Sequence, residues 1–156
     1  MAFDQQAIST LFARVVSPCK QIGAFRSSVI QHEPKAAPTA LPALALWWSG
    51  IGPARGFSGL DVTSARIEFK GRVYVNFKSR DEDDIDPSLM TLTSAVIGAF
   101  SSAFTLDGDV AFIDLLGGWG APLSATPGYI QQDGQEFRVA ELVLPVVVDD
   151  VWTQVP

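Results

Sequence analysis

Few side chains in this 156-residue sequence are of the types that carry out covalent or metal chemistry. It has one histidine, His32, and one cysteine, Cys19, thirteen residues upstream of it. A Ser-His-Asp or Cys-His arrangement would need that histidine as its base, and the spacing matches no local motif of either kind. Zinc centres draw on several Cys or His ligands, and one of each does not make a set. The acidic run Asp81, Glu82, Asp83, Asp84 and Asp86 can be tested as a calcium loop. Such a loop asks for glycine at its sixth position and glutamate at its twelfth; these positions hold Asp86 and Leu92, so the pattern fails. The run reads instead as a solvated helix start or a partner contact. Gly117-Gly118-Trp119-Gly120 lacks the GK[ST] ending of a phosphate loop, and no helix pattern begins behind it. It reads as a turn lying close against something, with Trp119 as an anchor. The four tryptophans could line a sugar cleft, but no acids are gathered beside them. Arg66, Lys70 and Arg72 are too few, and too little interleaved with aromatics, for nucleic-acid readout. No catalytic, metal or cofactor-binding residue is assigned, and the expectation is a protein that is not an enzyme and holds no cofactor.

Composition points the same way. With 47% hydrophobic and 18% charged residues the chain is far from the disordered class, and its length suits one domain over 1–156 with a sizeable core. No apolar run approaches the roughly 20 residues of a membrane helix. The start, MAFDQQAIST, lacks the basic and then apolar pattern of a secretory signal. A single cysteine permits no internal disulfide. The expectation is a soluble domain made in a reducing interior. Net charge is −6, which disfavours nonspecific nucleic-acid binding. Charge is also unevenly placed. Residues 1–80 hold ten basic and four acidic residues, a net of +6, whereas 81–156 hold Arg138 and thirteen acids, a net of −12. Such asymmetry fits head-to-tail subunit contact, in which two different faces of one protein meet. It is equally a solvated surface if the two halves interleave in the fold.

The elements follow from periodicity and punctuation. Asp4 is placed to N-cap a helix with Ile8, Leu11, Phe12 and Val15 on one face, a Phe3–Ile8 staple, and Pro18 as its end. Residues 24–31 read as a strand and 33–42, with three prolines, as a stiff connector. Residues 43–51 read as a strand with Trp47 and Trp48 on opposite faces, and 52–59 as a glycine-rich loop. From Ala65 to Phe77 the odd positions are apolar apart from Gly71, and the even positions polar and mostly basic. That is one half-buried strand, bent if anywhere at Gly71, forming a long hairpin with 43–51. Asp86 and Pro87 then read as cap and first residue of a second helix, with an Ile85–Met90 staple. Leu89, Leu92, Val96 and Phe100 line its inner face, and it ends near Phe104 before Asp107-Gly108. Residues 110–116 read as a short strand. Tyr129 to Gln132 and the chain from Gln135 pair across a type I′ turn at Asp133-Gly134. The last strand, RVAELVLPVVV, is apolar on both faces, and its Pro145 implies a bulge or a change of neighbour.

Taken in order, these elements and three segments, HEPKAAPTALPALALWW, DIDPSLMTLTSAVIGAF and GYIQQDGQEFRVAELVLPVVV, resemble the tail-terminator (tail-completion) proteins of long-tailed bacteriophages. The resemblance is one of layout over nearly the whole chain. It implies an α+β fold: a mostly antiparallel twisted sheet with a long hairpin, packed by two main helices, the α/β sandwich of that family. It also implies a hexameric ring that caps the finished tail tube at the head-proximal end of the virion, after synthesis in the host cytoplasm. The partners implied are other copies of the chain, the major tail tube protein, the head-side connector or stopper and the tape-measure protein. DNA would pass through the channel without specific binding, and no membrane is involved. Candidate intersubunit or tube contacts are Arg55, Arg66, Lys70, Arg72, Asp81, Glu82, Asp83, Asp84 and Trp119, with the basic strand face set against the acidic run. The alternatives are another neck, tube or connector component, or a small ligand-binding module with an aromatic pocket around Trp47, Trp48 and Trp119.

Overall fold

The computed structural model describes residues 3–25, 29–55, 59, 61–76, 81–106 and 111–155. In chain order its elements are α1 (Gln5–Lys20), β1 (Ala43–Pro53), β2 (Val62–Val75), α2 (Glu82–Ser102), β3 (Ala111–Ile113), β4 (Ser124–Gln132) and β5 (Gln135–Thr153). The alternation along 65–75 yields one continuous strand, flanked by β1 on one side and β5 on the other, both antiparallel. On the far edge of β5, β4 pairs with its first half and β3 with 146–148. The five strands therefore make a single antiparallel sheet, with β3 and β4 placed end to end along one edge. Both helices pack on the same face of it, so the fold is α+β with the expected long hairpin.

That inner face is the core. Ile67, Phe69 and Val73 of β2 join Leu44 and Leu46 of β1 and Leu142, Leu144 and Val146 of β5; Leu11, Val15, Val96 and Phe100 come down from the helices. Phe12 meets Phe69 edge-on at 5.0 Å between ring centres. Burial of this apolar area is the main favourable term in folding. There is no bulge at Gly71, since the register runs unbroken through Leu46, Gly71 and Leu142. A Cβ there would lie 3.0 Å from Leu46 Cδ2 and 3.2 Å from Leu142 Cδ1, so the glycine lets two leucines close over the strand. The irregularities fall instead between Trp48 and Gly50 and between Thr63 and Ala65. At the second, buried Ser64 donates to Asp149 and accepts from the Asp150 N–H, where φ is +50°.

Helix ends depart from the sequence reading. Asp4 does cap α1, accepting from Ala7 N at 2.9 Å, but Pro18 lies inside the helix, which runs on to Lys20. Proline removes one hydrogen bond and crowds the preceding turn; the final turn carries fully buried Cys19, whose packing holds it. Likewise α2 begins at Glu82 and Pro87 sits within it. The absent Pro87 N–H is one bond lost near the helix start, while Glu82, Asp83 and Asp84 occupy the first turn, where carboxylates favour the positive end of the dipole. Asp81, not Asp86, holds the cap position, without a side-chain bond. Ile85 packs on the core, whereas Met90 is exposed, so the expected staple does not form. The helix closes at Ser102; Asp107 and Gly108 lie outside the described residues.

The remaining differences are in length. Of 24–31, Ile30 makes a single parallel bridge to Ala45, while 26–28 lie outside the described residues. β1 runs two residues past its expected end, and 56–58 and Phe77 are outside the description. Within 110–116 only Ala111–Ile113 is strand, residue 110 being undescribed. β4 starts at Ser124, ahead of Tyr129. Positive φ at Asp133 (+52°) and Gly134 (+73°) gives the type I′ turn. Pro145 stands where β5 exchanges β4 for β3, so the change of neighbour is its explanation.

Candidate functional site

The outer face of the sheet, expected to offer its basic side chains to a neighbour, is largely covered from within the chain. At one end the Pro-rich connector lies over it: Ala37 and Leu41 pack on Ala43, Tyr74, Phe137 and Val139. Ala37 N donates to Asp133 Oδ2 and Gln132 Nε2 to the Pro34 carbonyl, both at 2.8 Å. Beneath it Arg72 donates to Glu141 Oε1 at 3.0 Å and to Tyr74 Oη at 3.0 Å, and Tyr74 Oη donates to Gln132 Oε1. The guanidinium also stands over the Trp47 ring, 5.3 Å from its centre. Burial alone would lower the Arg72 pKa, but the hydrogen bonds to Tyr74 and Glu141 outweigh it and hold it above its ordinary value.

At the other end the loop 117–121 closes over Arg66. Buried Asp114 accepts from Gly118 N at 2.8 Å and from Trp119 N at 3.0 Å, fixing the turn. The Trp119 ring meets Phe112 at 5.3 Å, which gives the expected anchor a place within the subunit. Arg66 Nη2 donates to the Ala121 carbonyl at 2.7 Å, and a Cβ at Gly120 would stand 2.5 Å from the guanidinium. Arg66 and Arg72 are thus engaged inside the subunit, which withdraws them from the expected ion pairs with the acidic run. Lys70, between the two covers, is exposed, as is Arg55 just after β1.

Trp47 and Trp48 do lie on opposite faces. Trp47 is buried on the outer face and Trp48 exposed on the inner, so the two cannot share an aromatic pocket with Trp119.

The strand order decides what the charge asymmetry means. β1 and β2 come from the basic half of the chain, and β5, β3 and β4 from the acidic half. The halves lie side by side in the sheet and do not interleave; β1 and β4 themselves have no charged residue, so any charge at the two edges comes from the helices and loops beside them. Among the described residues, β1 has no neighbour on its outer side apart from the Ile30 bridge, and β4 has none besides β5. Each edge carries apolar side chains that the helices leave uncovered. At the β1 edge these are Trp48 (55% exposed) and Ile51 (45%), with Ile8 of α1 (38%). Beside them α1 and Gln31 frame a depression lined by Ile8, Phe12 and Lys20. At the β4 edge a groove of about 430 Å³ runs between α2 and the sheet, floored by Ile97, Ala125, Pro127 and Ala140, with Met90 (76% exposed) on its rim.

Asp86 and Arg138 close one end of that groove. Arg138 donates through Nε to Asp86 Oδ1 at 2.9 Å and through Nη2 to Oδ2 at 3.3 Å, a two-pronged pair that ties the start of α2 to β5. The bond to Asp86 raises the Arg138 pKa against the opposing effect of burial. The guanidinium lies 4.5 Å from the Tyr129 ring centre. Asp81, Glu82, Asp83 and Asp84 are exposed along the first turn of α2, beside this end of the groove. Sequence reasoning missed Met90, Ile51 and Asp86 as surface-forming residues. The signal for Ile51 was present, since a strand at the end of a hairpin order has one side without a neighbour.

Among the described residues no helix is long and apolar enough to cross a membrane, and no three His, Cys, Asp or Glu side chains gather as a metal would need. The chain matches no protein-family model, and no curated protein matches its sequence.

Proposed function

We propose that this chain is a structural subunit of a bacteriophage tail-terminator ring, which caps the completed tail tube and presents the surface to which the head-side connector attaches. The reading rests on the layout of elements, and one observation of the subunit favours it most. Its two sheet edges are both apolar and are unlike each other in shape and in charge. A two-fold dimer needs one self-complementary patch, whereas two different patches on opposite sides suit head-to-tail contact, which closes into a ring when the rotation permits. The sheet carrying these edges is braced on its outer face by the connector and the loop 117–121, so the edges are held in fixed relation. Among the described residues no three His, Cys, Asp or Glu side chains gather as a metal site, and the buried thiol of Cys19, pushed up to about 12 by desolvation, is a poor nucleophile.

Mass determination in solution, with and without isolated tail tubes, tests the reading. The expected result is a hexamer, or a monomer that becomes a ring on a tube end. A monomer that ignores tubes and binds a small molecule would overturn it.

A further inference from the structure

Resting on the ring reading, we infer that neighbouring subunits join by seating Trp48 and Ile51 at the β1 edge of one copy in the α2–β4 groove of the next. The two surfaces match in three respects. The first is shape: the β1 edge projects a large ring, and the groove offers about 430 Å³ beside the sheet. Tryptophan is enriched among interface anchors, and both the exposure of Trp48 on the free subunit and the apolar floor of the groove suit that use.

The second is charge. The exposed cations Lys20 and Arg55 lie at the β1 side, while the exposed carboxylates Asp83 and Asp84 lie on the first turn of α2, just before Asp86, which Arg138 already pairs at the end of the groove. With Arg66 and Arg72 engaged internally, Lys20 and Arg55 are exposed cations at this edge that can meet the acidic run. The third is direction. β1 is parallel to β5, and β4 is antiparallel to it, so β1 and β4 run antiparallel within the subunit. A copy related by rotation about an axis along the strands brings its β4 antiparallel to β1, the relation in which two edges can lie alongside each other. A second copy is thus the occupant that fits both surfaces at once.

Cysteine cross-linking of the full chain tests the contact, because Cys19 is fully buried and stays silent. Trp48→Cys and Met90→Cys are both exposed positions, so neither change threatens the fold. Under oxidation the double variant should form a ladder of covalent multimers, each single variant none, and a mixture of the two single variants dimers only. Trp48→Ala should weaken assembly by about thirtyfold or more, as for an interface anchor. Lys20→Glu should weaken it by up to about fivefold at low salt, with recovery on adding Asp83→Lys. Dimers from Trp48→Cys alone would mean a two-fold contact and overturn the pairing. Rings of normal mass with no cross-link in the double variant would also overturn it while leaving the ring reading intact. Absence of any oligomer, with tail tubes present or not, would remove both.

Discussion

Replacing Tyr74 by phenylalanine removes one oxygen from the buried polar cluster that joins Arg72, Glu141 and Gln132. That oxygen accepts from Arg72 Nη1 and donates to Gln132 Oε1, each at 3.0 Å, and Gln132 in turn holds the connector through the Pro34 carbonyl. Tyr74 is fully buried and Arg72 is 7% exposed, so water cannot readily replace the lost partner. The ring itself stays, with its edge-on contact to Phe137 at 5.7 Å. A hydrogen bond to a charged group is worth about 1.5–3 kcal/mol, and its loss leaves a buried donor unsatisfied. The expected destabilisation is therefore about 2 kcal/mol, or roughly 4–8 °C in Tm for a domain of this size. Urea unfolding of Tyr74→Phe, Arg72→Met and the double variant measures it. With Arg72 already replaced, no buried cation remains to be left without its partner, so the same tyrosine change should cost less than half as much. A loss below about 0.5 kcal/mol for Tyr74→Phe, or an equal loss in both backgrounds, would refute the clamp.

Three further outcomes follow from named contacts. The Cys19 thiol should resist alkylation until the protein unfolds. Its raised pKa also means that the unfolded chain ionises first: stability is unaffected below about pH 9 and falls between there and about 12, by up to roughly 1.4 kcal/mol per pH unit. The urea midpoint of the parent chain should therefore drop more steeply than that of Cys19→Ala over this window. Gly71→Val forces a side chain against Leu46 and Leu142 and should cost about 1–3 kcal/mol in the same assay. Asp114→Ala leaves the Gly118 and Trp119 amides without their acceptor and should both lower stability and increase exchange of those two amides, read by hydrogen exchange.

Local signals carried much of the fold. Asp4, the alternation of β2, the Asp133-Gly134 turn and the opposed faces of Trp47 and Trp48 each depend on neighbours within a few residues, and each is found in place. The role of Pro145 was legible as a disjunction and resolved by which strands flank β5. The two helix ends marked by proline were not legible. A proline's local penalty is fixed, but the burial that offsets it comes from residues distant in sequence, as for Cys19 at the end of α1. Side-chain partners were the least accessible. Arg72 finds Glu141 at a separation of 69 residues, and Arg66 finds Ala121 at 55. Their basic character suggested a contact surface, while the cover supplied by residues 33–42 and 117–121 was invisible without the topology. Conversely, the charge asymmetry was plain in the sequence, and only the strand order showed that the two halves lie side by side in the sheet.

The proposed ring would act at the end of a tail tube. Purified protein added to polymerising major tail protein should bind one end of each tube and stop its growth, visible by electron microscopy as tubes capped at a single end and shortened with rising dose. Tubes that lengthen at the same rate, with the protein left unbound, would contradict it.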